Sequence, residues 1–384
     1  MTIIDVDCHL DIAVPAAEHP LRAMRDVLPT AYGYAAEAIS GDLRRVTPPE
    51  DAPPEDMLAA FLPAENFSST RYATLEETGN IGFTSLNAAE REAWMTKIGV
   101  DVAFVNPGSL GIMASFMTER RAEAMRRCND FATEQLSGHT DRMSPVALAD
   151  WSDVDAGVAE LTRMRAAGSR AFWVRAEPFG GVSPAHPDWD RVWSAATDLG
   201  MVAILHVGNT PAAFAGGWGN AGWNQEGGTG LGGFFRYANS MRHQAAEMML
   251  AGMLYGGVFA RHPNLTIITE ELGIGWLPYF VSRCDSLAPV GPWPCELSCG
   301  DMIRRNLRAA PLPGLGDPNP LTSALLEISE MLVFSSDFPH GEGNADPVTL
   351  FAPTLAQLDT HQRSEFLGGN IAECFVRMGD PLAA

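Results

Sequence analysis

Basic charge is scarce in this 384-residue chain: 26 lysines and arginines stand against 47 aspartates and glutamates, a net charge of −21. So acidic a chain lacks the basic patches that nucleic acids and anionic membrane surfaces require, and neither is expected as a partner. Long apolar runs are also missing. The longest, 248–260, is too short and too glycine-interrupted to span a bilayer. The first seven residues carry two acids and no basic residue, which is not the pattern of an ordinary signal peptide. The six cysteines are scattered over the whole length, unlike those of a disulfide-dense secreted scaffold. Cys295 and Cys299 have the spacing of half a zinc site. No second cysteine pair or close histidine pair follows them, which favours free thiols in a proline-rich loop. These absences lead to the expectation of a cytoplasmic protein.

What is present suits a large folded core. Hydrophobic residues make up 46% and charged residues 19%, too apolar for a disordered acidic chain. Short apolar, β-branched runs predict strands over 3–9, 100–106, 143–149, 170–175, 201–207, 265–271, 302–308 and 331–336. Helix-length stretches over 117–136, 152–167, 187–199, 241–260, 275–287 and 322–329 fall between most of them. The strands read as nearly continuous apolar runs, buried on both faces. The expected fold is therefore α/β: a single (β/α)8 TIM-type barrel domain over 1–384.

Three segments exceed a minimal barrel, one each after strands 1, 5 and 6: 10–92, 208–233 and 288–319. Long connections in a compact domain usually carry function or cover a site, so they read as lid and pocket walls, with 10–92 as the cap. Gly228-Thr229-Gly230-Leu231-Gly232 loosely resembles a phosphate cradle, but it lies far from the end of its strand. Trp218, Trp223 and Trp276 are candidate aromatic walls, although Trp276 fits helix packing equally well.

In such a barrel the chemistry sits at the carboxyl ends of the strands. The first predicted strand closes with Asp7-Cys8-His9, and period-two alternation puts Asp7 and His9 on one side with Cys8 on the other. The fifth ends at His206, the sixth at Glu270 and Glu271, and the eighth at Asp337. One polar strand end is usually a cap or a structural hydrogen bond. Four of them, with carboxylates that need pairing or a cation if buried, point to a metal site.

These residues resemble a known family. Asp-x-Asp-x-His at the start, His-x-Gly after strand five, Glu-x-Gly-x-Gly-Trp-x-Pro from Glu271, and Ser-Asp-Phe-Pro-His from Ser336 look like the amidohydrolase superfamily. The branch they resemble is amidohydrolase-2, which holds aminocarboxymuconate-semialdehyde decarboxylase and related enzymes. The resemblance implies one divalent metal, zinc by preference and manganese as the alternative, held by Asp7, His9, His206 and Asp337. It also exposes a departure. Decarboxylases of the branch usually carry a histidine acid/base at the position where this chain has Glu271, or Glu270 if the register shifts by one.

Two carboxylates neutralise a 2+ ion, and an ionised Glu271 leaves the site near −1, which favours a neutral substrate unless a cation joins it. Arg175, Arg242 and His243 are candidates for that charge, with a salt bridge to Glu177 or Asp150 as the other reading of Arg175. The expected catalytic residues are thus Asp337, Glu271, His243 and Arg175. His340 reads as a donor that orients the Asp337 loop.

The leading expectation is a metal-dependent hydrolase that uses activated water to cleave a C–N, C–O or activated C–C bond of a small organic substrate. The alternative is a non-oxidative, metal-dependent decarboxylase of an aromatic or dienoic acid. A barrel that only binds, without catalysis, is the third reading. A homodimer is possible on the resemblance.

Overall fold

A computed structural model describes residues 2–10, 88–115, 120–209, 240–312, 324–325, 327–338, 343 and 346–382. Most of the expected cap 10–92, nearly all of 208–233, and Trp218, Trp223 and His340 lie outside the described residues. Among the described residues, seven parallel strands follow one another in sequence order around a single curled sheet: β1 (Ile4–His9), β2 (Val102–Asn106), β3 (Met143–Ala147), β4 (Ala171–Trp173), β5 (Val202–His206), β6 (Ile267–Glu270) and β7 (Leu307–Ala309). Every strand residue is buried, as continuous apolar runs require.

The eighth position is filled by a different element. In place of a strand over 331–336, the turn Ser329–Met331 leads into an extended segment, 332–338. That segment joins both free edges. Val333 N donates to Ala309 O (3.1 Å) on β7, and Val6 N donates to Phe334 O (3.1 Å) from β1. Farther along, His9 N donates to Phe338 O and Asp337 N to Asp7 O, each at 2.7 Å. Closure therefore depends on a few hydrogen bonds, with bridges among the described residues at Leu332 and Phe338.

The predicted seventh strand is displaced as well. Residues 302–306 belong to a helix, and the strand is only Leu307–Ala309. Ser298 explains the helix: its Oγ accepts from Asp301 N (3.0 Å), the hydrogen bond of an N-cap.

The helices are α1 (Ala88–Ile98), α2 (Gly108–Ser115), α3 (Arg121–Gln135), α4 (Val154–Ala166), α5 (Asp190–Asp198), α6 (His243–Tyr255) and α7 (Val258–Arg261). They continue as α8 (Leu277–Leu287), α9 (Cys299–Asn306), α10 (Pro347–Leu355), α11 (Thr360–Ser364) and α12 (Asn370–Arg377). Alternate strand residues fall into two apolar clusters. Val6, Phe104, Val146, Ile204, Ile268 and Val333 pack together within the curl of the sheet. Their neighbours Ala103, Val105, Phe172, Leu205 and Ile267 join the larger cluster that holds the helices. The expected (β/α)8-type architecture is present, and its strand ends all open on one side.

Candidate metal centre

Five side chains meet at the carboxyl ends of β1, β5, β6 and the 332–338 segment: Asp7, His9, His206, Glu271 and Asp337, all at most 8% exposed. On β1, the pairs Asp5 with Ala103 and Cys8 with Val105 leave one extra residue on β1 relative to β2. Beyond that irregularity Cys8 turns away and donates to Phe104 O (3.3 Å), while Asp7 and His9 converge. His9 Nε2 lies 3.1 Å from Asp7 Oδ1, 3.1 Å from Glu271 Oε1 and 3.2 Å from Asp337 Oδ1. His206 Nε2 is 3.2 Å from the same Glu271 oxygen.

Two backbone conformations make this convergence possible. Glu271 has φ 55° and Asp337 φ 52°, both in the left-handed region that non-glycine residues seldom adopt. Strand alternation carries Glu270 inward from β6. The left-handed turn then brings Glu271 to the same interior instead of the opposite face. Both carboxylates are therefore inside, and Glu271 is the one that contacts His9 and His206. Gly343 lies so close to Asp337 that a Cβ there would meet the Asp337 carbonyl oxygen at 2.2 Å.

A layer of side chains supports the cluster, and sequence reasoning missed it. Asn106, the polar last residue of the apolar strand β2, donates to Asp7 Oδ1 (2.9 Å) and to Glu270 Oε2 (3.0 Å). Its own Oδ1 accepts from Trp173 Nε1 (2.7 Å), and the Trp173 ring stacks on His206 at 4.7 Å. A polar residue ending an apolar strand is the signal that singled out His206, and it was there to be read at Asn106. Behind β1, the fully buried Arg91 of α1 donates to His9 O and lies over the Phe338 ring. Asp5 accepts from Ser336 Oγ and Ser336 N. Burial pushes Asp5 up to about 7, against the lowering effect of those two bonds. Burial also raises Glu270 well above the usual carboxylate range, with the nearby Asp7 charge acting in the same direction.

The other two expected catalytic residues, Arg175 and His243, have partners of their own. Arg175 Nε pairs with Glu177 Oε1 at 2.7 Å, and its Nη1 donates to Ser115 O. Asp150, the other partner considered for it, is held by Arg121 at 2.7 Å. His243 begins α6, stacks near Trp276 at 6.3 Å and faces Glu247 at 3.9 Å. Burial lowers its pKa, which favours the neutral imidazole. Arg242, next to it, donates to Val207 O (3.0 Å); burial lowers its pKa and the charge of Glu271 opposes that shift.

The donor set fits a divalent cation. Asp7, His9, His206 and Glu271 each offer one ligand atom, all within 4.8 Å of one another, and Asp337 reaches the same imidazole nitrogen. Three carboxylates gathered in a buried pocket repel one another, and a 2+ charge among them removes that repulsion. Oxygen and imidazole donors suit zinc and manganese alike.

Several solved structures share the fold. A manganese-bound 5-carboxyvanillate decarboxylase from Novosphingobium aromaticivorans is 16% identical with a TM-score of 0.67, covering 98% of this chain and 97% of that one. A manganese-bound dihydroxybenzoic acid decarboxylase from Polaromonas is 19% identical with a TM-score of 0.62, covering 98% and 97%. An amidohydrolase from Mycobacterium avium subsp. paratuberculosis is 19% identical with a TM-score of 0.64, covering 97% of each chain. The family model described as amidohydrolase matches residues 4–376, nearly the entire sequence, and this chain belongs to that family.

Proposed function

We propose that this chain is a metal-dependent lyase that releases CO2, without oxidation, from a small hydroxylated aromatic or dienoic carboxylic acid. The observation that carries the reading is Glu271, a buried carboxyl set among metal-type donors with one oxygen 3.1–3.2 Å from two imidazoles. The decarboxylases that share the fold lend it support, and those with manganese bring that metal level with zinc as the ion to test.

Asp7, His9, His206 and Asp337 would hold one divalent cation, which supplies Lewis acidity toward the substrate carboxylate and an adjacent oxygen. Glu271 in its protonated form then delivers its proton to the carbon that bears the carboxylate. The C–C bond to that carboxylate breaks, its electron pair returns to the carbon skeleton and CO2 leaves. Glu271 recovers a proton from solvent, so each turnover consumes one. Arg242, close enough to Glu271 to oppose its charge, offsets the negative charge brought by an anionic substrate. Arg175, committed to Glu177, takes no part in these steps.

Hydrolysis is the second reading, favoured by the acidic nature of Glu271, since a carboxylate can deprotonate water. Assays of the manganese- or zinc-loaded enzyme separate the two. CO2 release from a hydroxybenzoate panel, lost in Asp337→Asn, is the expected result. Hydrolysis of amides or lactones with no CO2 from any acid would reverse the assignment.

A further inference from the structure

We propose that Asn106 is the positioning residue of the metal centre: one side-chain amide that fixes the Asp7 carboxylate and, through Trp173, the His206 ring. The inference rests on the metal-centre reading but not on the reaction assigned to it.

Hydrogen-bond chemistry permits a single orientation of this amide. An indole N–H can only donate. The 2.7 Å contact from Trp173 Nε1 therefore identifies the facing Asn106 atom as the carbonyl oxygen. The amide nitrogen is left with two hydrogens and two acceptors, Asp7 Oδ1 at 2.9 Å and Glu270 Oε2 at 3.0 Å. Both hydrogens and the carbonyl oxygen of the amide are used, all in surroundings at most 2% exposed. Rotating the amide by half a turn would place its NH2 against the indole N–H and its oxygen against two carboxylates, so it does not flip.

The consequences cross the barrel. Asp7 stands on β1, Asn106 on β2, Trp173 on β4, His206 on β5 and Glu270 on β6. Asp7 Oδ1 is also the oxygen 3.1 Å from His9 Nε2, so Asn106 holds the very atom that faces the cluster. Trp173, oriented by its bond to Asn106, presents its ring to His206 at 4.7 Å and 21° between planes, which limits rotation of that imidazole. A cation requires both donors in place before it arrives, and groups behind ligands commonly set affinity by 10–100-fold.

The test uses the full chain and titration with Mn2+ alone, without substrate. Asn106→Leu removes the hub; Trp173→Phe keeps a smaller aromatic ring against His206 and deletes the N–H donor. The expected result is a Kd for Mn2+ raised roughly 10–100-fold in Asn106→Leu and by a smaller factor in Trp173→Phe. The metal-free unfolding temperature of Trp173→Phe should fall, since a buried acceptor loses its donor and the ring shrinks, so the Kd for Mn2+ is the readout that decides. Wild-type affinity in both variants, with lowered thermal stability, would mean that the network only supports the fold and would overturn the proposal. If Asn106→Leu fails to fold, Trp173→Phe decides by the same readout. A wild-type chain that binds no Mn2+ or Zn2+ overturns the metal centre and the role of Asn106 together. Failure to find CO2 release leaves both standing.

Discussion

At Glu271 function and backbone stability pull in opposite directions. A left-handed backbone costs an ordinary L-residue roughly 1–2 kcal/mol, and asparagine and glycine are the residues that adopt it most readily. Glutamate is not among them, yet it holds φ 55° and stays buried beside Asp7, Asp337 and Glu270. Strain of this kind persists where the surrounding structure imposes it, and it gathers at functional sites. Two substitutions separate the contributions. Glu271→Gln removes the charge and keeps the strained conformation, whereas Glu271→Asn removes the charge and relaxes the backbone. Both are expected to lose at least 100-fold in turnover. Without metal, Asn is expected to be more stable than Gln by about 1 kcal/mol. Equal stability of the two variants in chemical denaturation would show that the backbone at 271 is not strained. The same residue explains why the sequence left Glu270 and Glu271 as alternatives. Period-two alternation sends one of them outward, and a left-handed turn is invisible to periodicity.

Elements of the barrel were legible where their own residues decide them. β2 and β5 are continuous apolar runs with a polar end, and the sequence places both within two residues of their observed limits. Met302, Ile303 and Leu307 make 302–308 look like a strand, although Met302, Ile303 and Asn306 recur at helical spacing on the buried side of α9. The stretch 331–336 reads as a strand because it is largely apolar. Its pairing is confined to isolated bridges with partners far away in sequence, so no local pattern reports it. Long-range pairing also hid Asn106, whose partners lie 99, 67 and 164 residues away.

α1 escaped notice altogether, since its first residues fall inside the stretch read as a cap, yet it braces the site. Trp94 stacks on Phe338 at 4.1 Å, and Arg91 donates to His9 O from full burial. Phe338 follows Asp337 directly, so one helix supports two of the chain segments that carry the donors. Arg91→Met keeps most of the side-chain volume and leaves the His9 carbonyl without this donor. The expected loss is about 1–3 kcal/mol in urea unfolding, the usual penalty for stripping a buried acceptor of its partner. No measurable change in the unfolding midpoint would show that α1 does not brace the site.

Over the whole molecule the net charge of −21 divides into two populations. Surface carboxylates are widely matched by arginines, as at Asp190 with Arg261 and at Glu160 with Arg163. The interior set of Asp5, Asp7, Glu270, Glu271 and Asp337 is buried within one barrel mouth and its lining, where proton or cation must compensate the charge. Protons and a divalent ion compete for the same ligand atoms, so metal affinity falls as pH falls. The sign of the effect on stability follows. At high pH few protons compete with the ion for the donor atoms, so the loaded chain gains its full binding energy, about 4 kcal/mol at a free metal concentration 1,000 times Kd. The metal-free chain meanwhile bears the repulsion. As pH falls, protons displace the ion from the shared donor atoms, metal affinity drops, and the two forms approach each other. Unfolding temperatures with Mn2+ and with a chelator should thus differ most at pH 8 and converge by pH 5. A gap that widens on acidification, or a chelator without effect at pH 8, would mean that these carboxylates are compensated by something other than a metal ion.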